Sequence, residues 1–369
     1  MADIKQRVFI ITQGLDGGVS KMSTFLSKSL IKNNKEVFNF FVGRKGSSEY
    51  ANQVKNMGGQ TEKFVTGSAR SFQEIIGLIK SIFIVNNAIK KFKPDLIIYN
   101  GHIPLLFYFF LAKNISKIFY DHGRPFSFIY IKKILTIPAL YFIDAIISVA
   151  EFSAEYYRNQ FNFKKPVKIL INCVDTNARD VNSERSYDNL KILMASRIDF
   201  IQKDPITLVK ATIIAKKAGI KIRTDFAGDG PNLNDLKKFI KDEGADEYIR
   251  CLGHIDEISG LRYRYNISCL SSNFESFGLA IVEGMGVNHL CIGSNVWGIN
   301  DVIINNKNGL LFQKGNYQEL ANMLIDIFRN SEKETYRIIS GTGYADAINR
   351  YSPVTYEKSL LGILSELDF

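Results

Sequence analysis

Two glutamates eight positions apart give the strongest chemical signal in the sequence. Glu275 and Glu283 lie in the segment 271–283, SSNFESFGLAIVE, which follows an apolar run ending at Leu270. Helical spacing begins near Gly278, so we expect Glu275 in a loop and Glu283 in the second turn of a helix. A loop between a strand and a helix is a common place to bind a phosphorylated ligand.

The start of that predicted helix is a candidate anion site. The first N–H groups of a helix attract negative charge, and here they belong to Phe277, Gly278 and Leu279. A carboxylate at Glu283 can accept hydrogen bonds from a ribose diol. A phosphate would repel Glu275, which is therefore expected to face a sugar. The alternative for this segment alone is a capped helix with two solvated glutamates.

Two cations follow the first predicted strand of the C-terminal half. Arg197 comes directly after Ser196, and Lys203 follows six positions later. At the carboxyl end of a strand, two such side chains can hold a diphosphate. Ordinary surface charge is the alternative for this pair taken by itself.

A glycine loop follows the first predicted strand of the N-terminal half. Residues 14–18 read GLDGG, and the adjacent Gly17 and Gly18 allow backbone N–H groups to approach an anion at a helix start. The loop lacks the G-x-G-x-x-G spacing and is not a P-loop. The alternative is a glycine turn that binds nothing.

Three histidines follow predicted strands and are candidates for binding. His102 ends the run LIIYNGH, and His122 ends the run KIFYDH, so both are expected at a sheet edge. His254 comes directly after Gly253, and these two residues are candidates for a nucleotide base pocket. For His102 and His122 the alternative is a buried imidazole held by a backbone carbonyl.

Strand-like and helix-like segments alternate along the chain, which is typical of parallel βαβ units. We therefore predict an α/β protein with two Rossmann-like sheets: a domain over residues 1–176, a second over 177–345 after a polar linker at 177–189, and a C-terminal helix within 346–369 packing back on the first. Ligands bind at the carboxyl ends of such strands, so two facing edges predict an inter-domain cleft. The predicted strands are 8–12, 36–42, 93–99, 117–120, 145–149, 167–171, 190–195, 221–227, 249–252, 267–270, 290–293 and 309–312.

The composition excludes several classes of protein. The chain has 369 residues, of which 46% are hydrophobic and 23% charged, so it is neither disordered nor collagen-like. The four cysteines form no C-x-x-C pair and the four histidines no H-x-x-x-H pair, so no metal site is predicted. The N-terminal segment has only a short apolar run, Val8–Ile11, and is not a signal peptide, so we expect a cytoplasmic protein.

The positive charge is concentrated in the N-terminal half. The net charge is +10, with 24 basic and 12 acidic residues in 1–175 but 23 and 25 in 176–369. Nucleic acid, an anionic membrane and an anionic substrate are possible partners, and a solubility charge is the alternative. No nucleic-acid-binding motif is present, so nucleic acid is not expected.

Two apolar stretches favour a membrane surface over the other partners. Residues 103–112 and 126–142 are rich in large apolar side chains, and Lys132 and Lys133 interrupt the second. Neither stretch is long enough to span a bilayer, but the mixture suits a lipid headgroup layer. Two buried core helices are the alternative.

Taken together, the motifs resemble family 4 of the retaining GT-B glycosyltransferases, over residues 7 to 330. The spacing of Glu275 and Glu283 matches the E-x7-E signature of that family. One departure follows the second glutamate, where the family usually has Gly-x-Pro and this chain has GVN at 286–288. The other matches are the phosphate-binding Arg197 and Lys203, the GDGP turn at 228–231, Gly253, the NCVD segment at 172–175, the double glycine at 17–18 and the His122-Gly123 pair.

The resemblance implies a GT-B fold and assigns roles to these residues. The donor would be a nucleotide-diphosphate sugar, of UDP or GDP type, with no metal and no other cofactor. Arg197, Lys203, Gly18 and the amides of Phe277, Gly278 and Leu279 would bind its phosphates. Glu275 and His122 would be catalytic, and Glu283, Gly253 and His254 would contact the ribose and base. Gly17, His102 and Arg124 are weaker candidates for the acceptor side.

The resemblance also implies a class of acceptor and a cellular location. Basic transferases of this family often extend lipid-linked glycans for bacterial surface polysaccharides, such as O-antigen, capsule or lipopolysaccharide. We therefore expect a peripheral enzyme on the inner face of the cytoplasmic membrane. Two alternatives share the architecture: a non-hydrolysing sugar-nucleotide epimerase and a non-catalytic, membrane-associated partner subunit.

Overall fold

The computed structural model describes residues 5–15, 17–43, 49–65, 72–101, 112, 114–123, 140–175, 186–255 and 257–369. The chain divides into two compact units. The first unit contains Met1–Cys173 together with Tyr356–Phe369, and the second contains Val174–Thr355.

The first unit is built on a parallel sheet, and its described strands run in the order β3-β2-β1-β4-β5-β6-β7. The central strands β1 and β4 are buried along most of their length, as expected of a parallel sheet covered on both faces. The elements are β1 (Arg7–Gln13), α1 (Gly18–Lys32), β2 (Glu36–Gly43), α2 (Glu49–Asn56), β3 (Gln60–Val65), α3 (Phe72–Phe92), β4 (Leu96–Gly101), β5 (Ser116–Asp121), β6 (Ala145–Ser148), α4 (Glu151–Gln160) and β7 (Val167–Ile169).

Aromatic packing and a buried polar cluster fix the first strand and helix. The rings of Phe9 and Phe38 stack with centroids 4.9 Å apart. On the other side of β1, Thr12 Oγ1 donates to Asn39 Oδ1 at 2.7 Å, and Asn39 Nδ2 donates to Ser23 Oγ of α1 at 2.7 Å. Because buried polar groups are costly unless they are paired, this cluster sets the position of α1 on the sheet.

The second unit contains another parallel sheet, whose described strands run in the order β10-β9-β8-β11-β12-β13. Strand β8 lies between β9 and β11, so the loops that follow β8 and β11 emerge side by side. The elements are β8 (Leu190–Ala195), α5 (Pro205–Lys217), β9 (Ile222–Ala227), α6 (Leu233–Asp242), β10 (Ile249–Gly253), α7 (Ile258–Arg262), β11 (Ile267–Leu270), α8 (Leu279–Met285), β12 (Leu290–Ser294), β13 (Leu310–Phe312), α9 (Tyr317–Arg329) and α10 (Thr335–Arg350).

The last helix, α11 (Pro353–Glu366), joins the first unit from Tyr356 onward. Lys32 Nζ of α1 pairs with Glu357 at 3.0 Å, and Lys168 of β7 pairs with Glu366. The segment expected to pack back began at residue 346, which instead lies inside α10 of the second unit. The contact begins about ten residues later because α10 continues to Arg350 before the chain turns.

The predicted strands all correspond to strands of the structure, with ends shifted by a few residues. The boundary between the units falls after Cys173, three residues before the predicted one. Of the predicted linker 177–189, only residues 186–189 are described. No helix among the described residues is long and apolar enough to cross a bilayer.

Candidate active site

Hydrogen bonds join the loop after β8 to the loop after β11. Ser271 Oγ donates to the carbonyl of Asp204 at 2.7 Å. The backbone N–H of Asn273 donates to the carbonyl of Gln202 at 2.7 Å, and its side-chain amide donates to the carbonyl of Ile201 at 3.0 Å. The two loops therefore form one surface at the carboxyl edge of the sheet, as the positions of β8 and β11 require.

An ion pair between Lys203 and Glu275 lies at the centre of this surface. Lys203 Nζ donates to Glu275 Oε1, and Ser272 Oγ donates to the same oxygen at 3.1 Å. The side chains are only 15% and 10% exposed, so water screens the pair less than it would at the surface. Lys203, which was predicted to bind phosphate, and Glu275, which was predicted to face the sugar, are thus in direct contact.

Two aspartates shape the turn that carries Lys203. Asp199 Oδ1 accepts hydrogen bonds from the N–H groups two and three positions later, each at 3.0 Å. Asp204 has a left-handed backbone with φ of 42° and caps α5, accepting from Thr207 Oγ1 at 2.6 Å. Burial raises the pKa of Asp204 above its ordinary value, against the hydrogen bonds from Thr207. The turn is fixed at both ends, which holds Lys203 in place.

The GDGP turn packs directly against the end of β8. A Cβ atom added to Gly228 would lie 2.0 Å from the carbonyl oxygen of Ser196, and one added to Gly230 would lie 2.1 Å from that of Ile198. Only glycine allows this approach. Arg197, between those two contacts, has an exposed side chain. Among the described residues, none forms an ion pair with Arg197, so the structure does not join it to the Lys203–Glu275 pair.

Helix α8 begins where the sequence indicates. Gly278 is its N-cap residue, with φ of 82°, and Leu279 is its first residue. A Cβ added to Gly298 would lie 2.7 Å from the carbonyl oxygen of Glu275, so the backbone before α8 rests on this glycine. Phe277 is 6% exposed, and its ring contacts Tyr351 at a centroid distance of 5.8 Å. The side chain of Phe277 thus anchors the backbone whose amides were predicted to bind phosphate.

Glu283 pairs with a buried arginine that the sequence did not single out. Arg262 Nη2 donates to Glu283 Oε2, and the Arg262 side chain is only 3% exposed. His289 contacts the backbone of Arg262: its Nε2 lies 2.9 Å from the carbonyl oxygen of Arg262, and its Nδ1 lies 2.9 Å from Ser268 Oγ. Arg262 therefore fixes the orientation of the carboxylate predicted to bind ribose.

Gly253 and His254 lie next to the GDGP turn. Gly253 has φ of 73°, and its carbonyl accepts a hydrogen bond from the N–H of Gly228 at 2.7 Å. His254 is exposed. The end of β10 thus extends the surface formed by Arg197 and the GDGP turn.

In the first unit, His122 is buried at the end of β5. Its Nε2 lies 2.7 Å from Asn100 Oδ1, and its ring centroid lies 4.2 Å from that of Tyr120. Asn100 Nδ2 donates to the carbonyl of Val19 at 3.4 Å, so the amide oxygen faces the imidazole. Because an amide oxygen can only accept, Nε2 of His122 carries a hydrogen.

A buried carboxyl group adjoins His122. Asp121 Oδ1 accepts from the N–H of Gly123 at 3.1 Å. Burial raises the pKa of Asp121 to about 7, although the hydrogen bond from the Gly123 N–H opposes the shift. Burial and the neighbouring Asp121 carboxyl also raise the pKa of Tyr157. This carboxyl group, which the sequence analysis did not single out, changes charge near neutral pH.

The remaining candidates of the first unit are described only in part. Gly17 is the N-cap residue of α1, with φ of 88°, and Gly18 is the first residue of the helix; both are exposed. His102 and Arg124 lie outside the described residues, as do Lys132 and Lys133. In the described part of the chain, no three His, Cys, Asp or Glu side chains cluster as metal ligands, and the metal-free donor site stays a prediction.

Comparisons with known proteins give the class of the molecule. Residues 176–343 match the model of Glycosyl transferases group 1, and residues 16–178 match that of Glycosyltransferase Family 4. The crystal structure of Anabaena HepE with UDP and glucose aligns with a TM-score of 0.79 at 18% identity, covering 98% of this chain and 100% of that one. The fold is GT-B. The chain belongs to the group 1, family 4 glycosyltransferases.

Curated relatives match shorter segments. The N-acetyl-alpha-D-glucosaminyl L-malate synthase of Bacillus anthracis is 30% identical over 105 residues, which are 28% of each chain. The GtfA subunit of a UDP-N-acetylglucosamine–peptide N-acetylglucosaminyltransferase of Streptococcus agalactiae is 25% identical over 214 residues, 54% of this chain and 42% of the relative. The chain therefore spans less than half the length of each.

Proposed function

We propose that the protein transfers a sugar from a nucleotide-diphosphate sugar to a glycan acceptor, with retention of the anomeric configuration and without a metal. The Lys203–Glu275 ion pair carries this proposal, because it places a cation of the loop after β8 against the first carboxylate of the E-x7-E segment. HepE was crystallised with UDP and glucose, which favours UDP over GDP as the nucleotide.

In this proposal, the second unit stabilises the charge that develops on the leaving diphosphate. Lys203 exchanges its partner from Glu275 to a phosphate oxygen when the donor binds. Arg197 and the N–H groups before α8 add positive potential, which preorganised groups supply without reorganisation cost during reaction. Glu283, held by Arg262, accepts hydrogen bonds from the ribose.

Release of Lys203 leaves the Glu275 carboxylate available to the sugar. Its negative charge stabilises an oxocarbenium-like state as the bond from the anomeric carbon to the phosphate oxygen breaks. The acceptor hydroxyl attacks from the same face, and its proton passes to the departing phosphate oxygen. His122 contributes a hydrogen bond to the reacting sugar.

A donor panel tests the proposal. UDP release is measured from UDP- and GDP-sugars, and UDP affinity is measured by calorimetry for the wild type and for Lys203→Ala and Arg197→Ala. We expect each variant to bind UDP at least about tenfold more weakly, as loss of a charged hydrogen bond implies. Lys241→Ala, an exposed lysine on α6, is the matched control. If both variants bind UDP as the wild type does, the phosphate assignment is wrong.

We also propose that the acceptor is a lipid-linked glycan and that the protein works at the inner face of the cytoplasmic membrane. The excess of basic residues in 1–175 supports this proposal, because each lysine or arginine near an anionic surface contributes about 1 kcal/mol. The alternatives of an epimerase and a non-catalytic subunit would show, respectively, epimerised donor or no UDP release in the same panel.

Vesicle binding tests the membrane proposal. Lys132→Glu with Lys133→Glu should lower co-sedimentation with anionic vesicles, and added salt should lower it for the wild type. Lys237→Glu with Lys238→Glu changes the net charge equally on exposed positions of α6 and is the control. Equal recovery with neutral and anionic vesicles would refute membrane association.

A further inference from the structure

A cavity of about 920 Å³ lies against β8, β9 and β10 in the second unit. Lys191 pairs in register with Arg223, and Asp225 pairs with Arg250, so these four side chains share one face of the sheet. The cavity is completed by α7 and the residues after it. None of the residues assigned above to the donor or to catalysis lines it.

The lining of this cavity is basic, although the C-terminal half of the chain as a whole is not. Four cations line the cavity, against the two carboxylates of Asp225 and Glu257. Residues 176–369 carry two more acidic than basic residues, so this concentration of positive charge is local. The cations are Lys191, Arg223, Arg250 and Arg264.

Asp225 acts as an anchor for two of the arginines. Its side chain is 2% exposed, and it accepts from Arg250 Nε at 2.9 Å, from Arg250 Nη2 at 2.7 Å and from Tyr265 Oη at 2.7 Å. Arg223 Nε adds a longer bond at 3.4 Å. The carboxylate is thus saturated by protein donors, and it fixes the guanidinium groups before any ligand arrives, which lowers the entropy cost of binding.

Most of the N–H groups on these four cations make no hydrogen bond to Asp225. Arg250 uses two of its five N–H groups on the carboxylate, and its side chain is 47% exposed. Lys191 and Arg264 are exposed, and among the described residues neither side chain forms an ion pair. Planar guanidinium groups bind phosphate oxygens in a bidentate manner, and several of them together match a doubly charged group.

Part of the lining of the cavity is apolar. Leu252 and Leu261 line it, together with the ring of Tyr265 and the side chain of Ile255. A cavity lined by apolar side chains together with a few polar groups is typical of small-molecule sites. We propose that this cavity binds a small phosphate ester, with the phosphate on the arginines and an apolar or ring-containing organic part on the leucines.

Calorimetric titration with phenyl phosphate tests the proposal, on protein saturated with UDP to fill the donor site. We expect binding to the wild type, with orthophosphate binding more weakly because it lacks the ring. Lys191→Glu with Arg264→Glu should weaken phenyl phosphate binding at least about tenfold, since charged hydrogen bonds are lost. These positions do not contact Asp225, so the fold should be preserved. Lys237→Glu with Lys238→Glu, of equal charge change, should bind as the wild type does.

Three outcomes would overturn the inference. They are absence of phenyl phosphate binding to the UDP-saturated wild type, equal binding by both double variants, and a change of molecular mass on charge reversal, which would make this face a protein contact. UDP affinity of the Lys191/Arg264 variant should equal that of the wild type. The difference in phenyl phosphate binding between the two double variants can be measured even if UDP does not bind. Failure of the donor proposal would appear instead as absence of UDP binding to the wild type.

Discussion

The two units end their parallel sheets in chemically different ways. At the ends of β8 and β11 in the second unit, Lys203 and Glu275 form a partly buried ion pair, and Glu283 is held by the buried Arg262. At the ends of β4 and β5 in the first unit, the described polar groups are an amide, an imidazole and a buried carboxyl group. They are Asn100, His122 and Asp121.

This difference indicates which ligand each edge suits. Lys203 can exchange the Glu275 carboxylate for a phosphate oxygen and remain paired with an anion, so the second edge is suited to an anion. The buried amide of Asn100 and the imidazole of His122 offer hydrogen bonds, which suit hydroxyl groups. The contrast supports the proposal that the second unit binds the donor diphosphate, and it makes the edge of the first unit a candidate for binding hydroxyl groups.

The largest expected effect is on turnover at the charged edge. Glu275→Gln keeps the shape of the side chain but removes its charge, so we expect turnover to fall by about 10²–10³, the usual effect of losing one charge-stabilising group. UDP affinity should change little or improve, because Lys203 no longer has a competing carboxylate. Steady-state UDP release and calorimetry measure the two quantities.

Glu243→Gln, at the exposed C-cap of α6, is the control for this change. A Glu275→Gln variant with normal turnover and weakened UDP binding would exchange the roles of Glu275 and Glu283.

The second effect concerns the Glu283–Arg262 pair. Glu283→Gln leaves a buried cation with a weaker acceptor, so we expect a loss of about 1.5–3 kcal/mol in the free energy of unfolding, measured with urea. UDP affinity should fall about tenfold, because the ribose contact belongs to ground-state binding.

The double variant Glu283→Gln with Arg262→Met separates these two consequences. It removes the unpaired cation, so it should recover part of the stability while UDP binding stays weak. Recovery of both together would mean that Glu283 acts on the nucleotide only through the fold.

Much of the fold was predictable because buried parallel strands have a strong signature. Continuous apolar runs such as 96–99 and 267–270 predicted the strands. The strand β3 was not predicted, because its residues lie at the sheet edge, are mostly exposed and lack apolar alternation. The helix α10 was not predicted, because its apolar residues define no clear face.

The candidate site was predictable only as far as local spacing reaches. The E-x7-E segment, Arg197 and Lys203 are recognisable by position along the chain. The partners that orient them are not, because Lys203 meets Glu275 across 72 positions and Arg262 meets Glu283 across 21. The adjacency of β8 and β11 brings the first pair together, and sheet order was not predicted.

The third effect tests the weakly acidic edge of the first unit. The pKa of Asp121 is raised by burial from 3.8 to about 7, so the folded protein binds this proton more tightly than the unfolded chain. Its contribution to stability is therefore complete below pH 4 and is lost as pH rises from about 4 to about 7, at up to about 1.4 kcal/mol per pH unit. Urea midpoints at pH 5 and pH 8 measure the loss.

Asp121→Asn should remove this dependence, because the amide does not ionise. Glu155→Gln, exposed on α4, should keep the wild-type slope. If Asp121→Asn shows the same fall in stability between pH 5 and pH 8 as the wild type, another group titrates and the edge of the first unit is not the source.

The smallest expected effect concerns the orientation of His122. Asn100→Ala removes the acceptor 2.7 Å from Nε2, and a neutral hydrogen bond contributes about 1 kcal/mol, so turnover should fall roughly fivefold while UDP affinity is unchanged. Asn100→Asp keeps an acceptor in the same place but adds a charge, which raises the pKa of the imidazole. It should therefore restore turnover at high pH and move the pH–rate profile, an effect that a merely structural amide would not produce. Loss of UDP affinity in Asn100→Ala would contradict the assignment of the nucleotide to the second unit, because it would make the first unit a nucleotide-binding surface.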